Sequence, residues 1–366
     1  MGRNVIFAVI ACLALAACKI QIDVPTSGAV TTQSGANECA SGTRCIVQVN
    51  DIFFNETFVA EPATGFEFIG WKRKDRSLCY GSSDPCSLET SGFPGNEDLM
   101  AILEDPEETF YLAPAFQSTG FTSLMIGHSF FRPFADGMPD HAERAGIANH
   151  EQTVVFSGGA TGAPEALWEN SSKGATIRAR LDEGDVELFI MTYHPDYPGL
   201  RGYRLWIDYA LQRNPNVRIA VALPWNTYPS SITTETDESS WVMGLEDGFH
   251  RGLTQLRREF PETEIFGIPY GQSAWELRKL FDAGELSDVE VLQSATRPAI
   301  YRDNLGHARE ILVETGRLVW LRAIYGVDLA RYDYEPPYVT DLKSLAQRIM
   351  DDYEANYDSR FDAPYL

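Results

Sequence analysis

From residue 119 onward, short apolar runs alternate with segments of helical periodicity. Five apolar runs predict strands, at 121–126, 152–156, 186–192, 217–224 and 264–269. Helical segments lie between and after them, at 139–147, 173–183, 200–213, 239–260, 272–284 and 306–325. In the third of these, Tyr203, Trp206 and Ala210 recur at three- and four-residue spacings, which indicates one buried face. The alternation predicts an α/β fold with a doubly wound, mostly parallel sheet.

Residues 37–117 show a different pattern. Strand-like runs at 45–49, 50–60 and 65–71 are separated by turn residues. No long helical period occurs in this block, so it predicts a small all-β module. Residues 18–36, which precede it, are rich in Ser, Thr, Gly and Pro, and we expect them to form a tether.

The first residues have the character of an export signal. A positively charged start is followed by an apolar run, 5–17, that is too short to span a bilayer. Leu15-Ala-Ala-Cys18 resembles the bacterial lipobox, which implies a lipoprotein signal peptide over 1–17 and lipid on Cys18. The alternative is an ordinary secretory signal with an incidental cysteine. Both interpretations export the protein; the first anchors it by lipid in the bacterial cell envelope, in the periplasm or on the surface.

Four further cysteines, Cys39, Cys45, Cys79 and Cys86, lie in the predicted β module. In an exported chain they predict two disulfides, for which three connectivities exist. We favour the short-loop pairing, which joins Cys39 to Cys45 and Cys79 to Cys86. A zinc site is the competing interpretation, but the spacings fit a zinc ribbon poorly.

The chain of 366 residues has a formal net charge of −22. Such an acidic surface repels phosphate backbones, which argues against nucleic acid as a partner. The sequence contains neither a Gly-rich phosphate loop nor a dinucleotide fingerprint, and we expect no cofactor. His141 and His150, with Asp136 and Asp140, could suggest a metal, but their spacing matches no zinc-binding helix and no metal is expected.

Three residues carry the chemistry of a serine esterase. Ser129, in Gly127-His128-Ser129, follows the first predicted strand of the α/β region, where a hydroxyl is exposed beside amide N–H groups at the start of a helix. Far downstream, Asp303 and His307 supply a carboxylate and an imidazole. Together they would provide a nucleophile, a base and an acid that orients the base. The competing interpretation makes Ser129 and Asp303 helix N-caps and His307 a surface histidine.

Through the segments that contain Ser129, Asp303 and His307, the region 119–327 resembles the SGNH hydrolase (GDSL-like) superfamily. The resemblance implies a nucleophile at Ser129 and a late catalytic pair, Asp303 and His307. Two details depart from the family pattern. His128 stands where Asp is more common, and the separation of the late pair is one residue longer than usual.

The resemblance also implies an oxyanion hole formed by a glycine and an asparagine. Gly158 or Gly159, after the second predicted strand, matches the glycine. After the third strand the family has Gly-x-Asn-Asp, whereas Met191–Asp196 contains no asparagine. A ring N–H of His194 or the hydroxyl of Thr192 could take its place. The loss of one such donor costs about 2.7–4 kcal/mol of transition-state stabilisation.

In the β module, Thr57–Trp71, the flanking cysteine pairs and Tyr111–Phe116 resemble the divergent InlB B-repeat family. This second resemblance covers the block 37–117. It implies a β-grasp-like spacer or adhesion module on a cell surface and no catalysis.

We therefore expect an exported lipoprotein that hydrolyses acyl esters through an acyl-enzyme, with an acylated polysaccharide as the first substrate to consider. The C-terminal tail, 328–366, is expected to pack on the hydrolase domain. The rival hypothesis is a non-catalytic glycan-binding or adhesion lipoprotein on a degenerate SGNH fold, because the asparagine is missing. A short distance between Ser129 and His307 in the folded chain would favour the enzyme.

Overall fold

The computed structural model describes residues 18–63, 65–231 and 249–357, with side chains as far as 353. The predicted signal peptide and the first part of the predicted helix 239–260 lie outside the described residues. Contacts divide the chain into two compact units. The N-terminal unit comprises Met1–Ala63 and Phe68–Phe116, and the C-terminal unit comprises Thr64–Glu67 and Gln117–Leu366.

The N-terminal part of the chain is built of short strands. They are β1 (Cys18–Asp23), β2 (Gly28–Thr32), β3 (Glu38–Cys39), β4 (Arg44–Val49), β5 (Asn55–Pro62), β6 (Phe66–Trp71), β7 (Cys86–Glu89), β8 (Thr109–Leu112) and β9 (Pro114–Ser118). They form sheets of order β4-β1-β8 and β3-β2-β5-β7, and β6 pairs with β9. The predicted β module is confirmed, with one short helix, α1 (Glu97–Glu104), added to it.

The tether expected over 18–36 is wrong, because β1 and β2 occupy much of it. β1 is the central strand of its sheet, antiparallel to β4 and parallel to β8. Its side chains alternate, with Cys18, Ile20 and Ile22 buried and the intervening residues partly exposed. This two-residue period is the pattern of a strand with one face against a core.

Two disulfides, Cys39–Cys45 and Cys79–Cys86, lie in the N-terminal unit, in the short-loop pairing that the sequence favoured. Cys39 and Cys86 are buried in the same core as Phe58. A unit of this size buries a limited apolar area, so covalent cross-links are a useful supplement to its core.

The C-terminal unit contains a five-stranded parallel sheet, which confirms the predicted fold class. Its strands are β10 (Thr122–Gly127), β11 (Glu151–Phe156), β12 (Leu188–Thr192), β13 (Arg218–Ala222) and β14 (Ile265–Ile268), in the order β11-β10-β12-β13-β14. Every predicted strand lies within two residues of the observed one. A separate parallel pair, β15 (Val291–Gln293) and β16 (Ala299–Tyr301), follows.

Helices cover both faces of this sheet. They are α2 (Arg132–Ala135), α3 (Met138–Arg144), α4 (Pro164–Glu169), α5 (Lys173–Asp182), α6 (Arg201–Leu211), α7 (described over 249–259), α8 (Gly271–Asp282), α9 (Glu310–Tyr325) and α10 (Leu342–Tyr357). Met125 and Ile190 pack with α2, α3, α8, α9 and α10, whereas Leu124 and Phe189 pack with α4 to α7. Strand residues alternate between the two cores because successive side chains point to opposite faces.

The tail contributes a helix to the core. α10 packs against α9, and Leu342, Leu345 and Ile349 are buried in the same core as α9. Residues 358–366 lie outside the described residues. Among the helices that the structure describes, none combines the length and apolar character needed to cross a membrane.

Candidate active site

The strand order places the predicted site residues at one edge of the sheet. The chain runs from β10 to β11 on one side and then to β12 on the other side of β10, so the winding direction reverses between the neighbouring strands β10 and β12. In a parallel sheet, the carboxyl ends of the strands at such a reversal border a crevice that commonly holds the ligand. Ser129 follows β10, Gly158 follows β11 and His194 follows β12.

The turn after β10 presents Ser129 at the start of a helical segment. Main-chain N–H groups of Phe131 and Arg132 both donate to the His128 carbonyl, at 3.0 and 3.2 Å. The Ser129 N–H donates to no residue that the structure describes. A Cβ on Gly127 would lie 2.5 Å from Thr192 Oγ1, so a larger residue at this end of β10 would push the turn away from β12.

Ser129, His307 and Asp303 form a continuous chain of hydrogen bonds. Ser129 Oγ lies 2.9 Å from His307 Nε2, and His307 Nδ1 lies 2.7 Å from Asp303 Oδ2. A carboxylate can only accept, so the ring proton is on Nδ1, and Nε2 is the acceptor for the Ser129 hydroxyl. The two partners are 178 residues apart in the chain.

Asp303 is held by a tight turn that also presents His307. The main-chain N–H groups of Gly306 and His307 donate to Asp303 Oδ1, each at 3.2 Å. Partial burial by itself raises the pKa of Asp303, but the hydrogen bonds from His307 and Gly306 outweigh it and hold the pKa below its usual value. The carboxylate therefore stays ionised as the partner of the imidazole.

Gly306 shapes the turn between Asp303 and His307. Its φ is +98°, in the region that favours glycine, and a Cβ there would lie 2.6 Å from Pro229 Cδ. The Gly306 carbonyl accepts from Trp225 Nε1 at 2.8 Å. Trp225 thus fixes the left-handed turn between Asp303 and His307, and α9 begins at Glu310 rather than at 306 as predicted.

Aromatic rings pack against His307. Trp225 stacks on Phe130 with ring centroids 4.8 Å apart, and the Phe130 ring meets the His307 ring edge to face at 5.2 Å. Trp225 is only 3% exposed. Its contribution is to packing and to the turn at Gly306, and the surface available for stacking a sugar on it is small.

The glycine-containing segment 158–162 approaches the turn that carries Ser129 closely. Gly158 and Gly159 are exposed, and their N–H groups donate to no described residue, so both remain available as donors. Gly159–Gly162 form a 3₁₀ turn. A Cβ on Gly162 would lie 2.6 Å from the Gly127 carbonyl. Sequence reasoning missed the role of Gly162, although it is the last glycine of the run.

Of the two candidate donors at the carboxyl end of β12, only His194 retains some exposure, 9%. Thr192 is fully buried, and its hydroxyl makes no hydrogen bond to the described residues. His194 Nδ1 accepts from the Asp196 N–H at 3.2 Å, which leaves the ring proton on Nε2 as a donor. Burial lowers the pKa of His194 although Asp196 opposes this, so the ring is neutral at neutral pH.

Other histidines lie apart from these residues. His141 contacts the Tyr332 hydroxyl at 3.1 Å, and His150 is hydrogen-bonded to the hydroxyl of Tyr325. Within the described ranges, no three His, Cys, Asp or Glu side chains are grouped so that they could hold a metal ion.

A scan against known protein families found no match, and neither did a search of curated protein sequences. Among solved structures, the fold is similar to a DUF4886 family protein from Bacteroides uniformis, with 15% identity and a TM-score of 0.45 over 65% of this chain and 96% of that one. A family 3 carbohydrate esterase from Clostridium thermocellum matches with 12% identity and a TM-score of 0.37, over 62% and 99%. A protein from Parabacteroides merdae described as a GDSL-like lipase matches with 14% identity and a TM-score of 0.35, over 56% and 94%. At these identities the similarity concerns the fold alone.

Proposed function

We propose that the C-terminal unit is a serine esterase that hydrolyses carboxylic esters through an acyl-enzyme. The observation that carries this proposal is the hydrogen-bonded chain from Ser129 through His307 to Asp303, with distances of 2.9 and 2.7 Å. Both distances are in the range that a nucleophile, its base and the orienting acid need. An N-cap serine and a surface histidine have no reason to meet in this way.

Acylation begins when His307 Nε2 takes the proton of the Ser129 hydroxyl while Oγ bonds to the ester carbonyl carbon. The imidazolium that forms is stabilised by the Asp303 carboxylate. His307 then returns the proton to the leaving alcohol as the carbon–oxygen bond breaks. In the second half, a water molecule gives its proton to His307 and attacks the acyl group, and the proton passes back to Ser129 Oγ as the acid leaves.

The negative charge on the carbonyl oxygen needs donors in both halves. The Ser129 N–H and a glycine N–H at 158 or 159 are free to donate. His194 Nε2–H supplies the third donor in place of the family's asparagine. A neutral histidine is suited to this role, because it offers a single N–H in a fixed direction. It also adds no positive charge that would compete with His307 for Asp303.

Labelling with a fluorophosphonate probe tests the proposal directly. We expect the wild-type protein to be labelled at Ser129 and to turn over an activated ester, and the Ser129→Ala variant to do neither. Protein that neither reacts with the probe nor hydrolyses any ester of a broad acyl panel would favour the rival function, a glycan-binding or adhesion lipoprotein without catalysis.

The substrate that we propose to test first is an acyl ester on a polysaccharide. The SGNH resemblance and the export signal support it, and the InlB-like resemblance of the β module adds a surface spacer or adhesion role. Release of the free acid from acylated polysaccharides, measured beside lipid and small-molecule esters of the same acyl group, tests this choice. A clear preference for the free small-molecule ester would refute it.

We also propose that Cys18 is the lipidated N-terminus of a cell-envelope protein. The lipobox supports this, and two disulfides fit an oxidising compartment. In the structure the Cys18 side chain is 5% exposed, and burial raises the pKa of its thiol. Lipid at this position therefore requires the side chain to leave the core. Mass spectrometry of the mature protein should show a lipid-bearing Cys18, and a free Cys18 thiol would contradict the proposal.

A further inference from the structure

The residue before the nucleophile is a buried histidine with both ring nitrogens engaged. His128 is 4% exposed. Its Nε2 lies 2.8 Å from the Tyr193 carbonyl oxygen, and its Nδ1 accepts from the Phe130 N–H at 3.4 Å. A carbonyl can only accept and an N–H can only donate, so the ring is the neutral form with its proton on Nε2. Burial lowers the pKa of His128 to about 4, against the effect of the Tyr193 hydrogen bond, which is consistent with this assignment.

This hydrogen bond joins the nucleophile turn to the third block. Tyr193 is the residue before His194, so its carbonyl belongs to the peptide that leads into the proposed oxyanion donor. The rings of His128 and His194 also meet edge to face, with centroids 4.9 Å apart and planes at 82°. The Asp196 N–H on His194 Nδ1 sets the tautomer of His194, and the two contacts of His128 set the position of its ring.

An aspartate at this position, as the family more often has, could not make the same contact. An ionised carboxylate has no proton to donate to the Tyr193 carbonyl, so two acceptors would face each other. The histidine before the serine and the histidine in the third block therefore form a matched pair.

We propose that His128 is a positioning residue that orients His194 as the oxyanion donor in place of the missing asparagine. The proposal rests on the esterase function proposed above. His128 does not contact the reacting atoms. It acts by holding the Tyr193–His194 peptide through Nε2 and by supporting the His194 ring.

Two substitutions separate the contacts of His128. Gln places an amide N–H where Nε2 lies, so His128→Gln keeps the donor to Tyr193. Asn places an oxygen where Nδ1 lies, so His128→Asn keeps the acceptor for Phe130 and loses the donor. We expect the Gln variant to retain kcat within about tenfold of wild type. The Asn variant should lose about 10- to 1000-fold in kcat, as His194→Ala should, with KM nearly unchanged.

A double-mutant cycle decides whether His128 acts through His194. If it does, His128→Asn combined with His194→Ala should be no slower than His194→Ala alone, because the donor is already absent. Losses in kcat that multiply, or a His128→Asn enzyme with the wild-type rate, would overturn the proposal. Equal melting temperatures of the Gln and Asn variants are the control for a purely structural effect.

A spectroscopic measurement keeps this test separate from the question of activity. Nitrogen-15 NMR of the imidazole rings should show His194 protonated on Nε2 in the wild type and in His128→Gln. In His128→Asn the ring nitrogen signals of His194 should shift or broaden, because the ring is no longer held in one position. An unchanged His194 signal in the Asn variant would overturn the positioning role, even in an active enzyme. Absence of ester turnover and of probe labelling in wild type would instead sink the esterase function.

Discussion

The two units of this chain reach a stable fold in different ways. The N-terminal unit has short strands, one small core and two disulfides. The C-terminal unit has a five-stranded parallel sheet with a core on each face, and neither of the two disulfides lies in it. Larger units bury a larger fraction of their apolar surface, so the second can hold its fold by packing alone.

The units also differ in the chemistry that they bury. All six histidines of the chain belong to the C-terminal unit. Among its buried polar residues are His128, His141, His250 and Glu314, whereas those described in the N-terminal unit are Thr32 and Thr90. Because burial lowers the pKa values of these histidines, we expect the larger unit to be the more sensitive of the two to pH.

The largest expected effect separates catalysis from folding within the C-terminal unit. Ser129→Ala and His307→Ala should each lower the kcat of ester turnover by at least about 10⁴-fold, because nucleophile and base act as one unit. The double variant should be hardly slower than either single one. Thermal unfolding of both units should stay as in the wild type; a Ser129→Ala enzyme that still turns over ester would remove Ser129 from the mechanism.

Acid should destabilise the C-terminal unit and spare the other. Burial lowers the pKa values of His128, His141 and His250 to about 4, whereas each is near 6.5 when unfolded. Between these values the unfolded chain binds more protons, so stability falls as pH decreases from about 6.5 to 4, by at most about 1.4 kcal/mol per pH unit for each histidine. Urea unfolding at pH 7 and pH 5 measures this. Equal losses in both units would show that these histidines do not cause it.

Removal of a disulfide should destabilise the N-terminal unit and spare the C-terminal unit. Replacing Cys39 and Cys45 by Ser opens a loop with a sequence separation of six and should destabilise the N-terminal unit by about 2 kcal/mol. The same change at Cys79 and Cys86 should cost a similar amount. Limited proteolysis of the N-terminal unit reports the loss, and ester turnover by the C-terminal unit should persist. Loss of ester turnover with an unchanged melting temperature of the C-terminal unit would contradict the prediction that the disulfides affect the N-terminal unit alone.

The most local expected effect concerns the turn that carries His307. Gly306→Ala must adopt a positive φ and meet Pro229, so we expect about 1–3 kcal/mol of strain and roughly a tenfold or greater loss in kcat. Gly284→Ala is a matched control, because Gly284 also has a positive φ but no neighbour within 4 Å of a Cβ. Equal activity of the two variants would show that the turn at Gly306 tolerates a side chain.

Two elements of the N-terminal part, β1 and α1, were not predicted from the sequence. The alternation of Cys18, Ile20 and Ile22 is a strand pattern, yet the Ser, Thr and Gly around it suggested a tether. β1 forms because β4 and β8, which are distant in the sequence, pair with it on both sides. Helix α1 has only eight residues, too few to show a clear period, although Asn96 and the acidic residues after it are a helix start signal.

In the C-terminal unit the sequence by itself determined the strands, because each is a buried apolar run between turns. It also determined the candidates Ser129, Asp303 and His307, because their residue types and local blocks are those of a nucleophile, an acid and a base.

Only the tertiary structure decided that they meet. Ser129 and His307 come within hydrogen-bond distance across 178 residues, through the order of the strands and the left-handed turn at Gly306. The link from His128 to the peptide before His194 likewise depends on β12 lying beside β10. Local patterns specify which groups are present, but sheet pairing and side-chain packing between distant segments specify which of them touch.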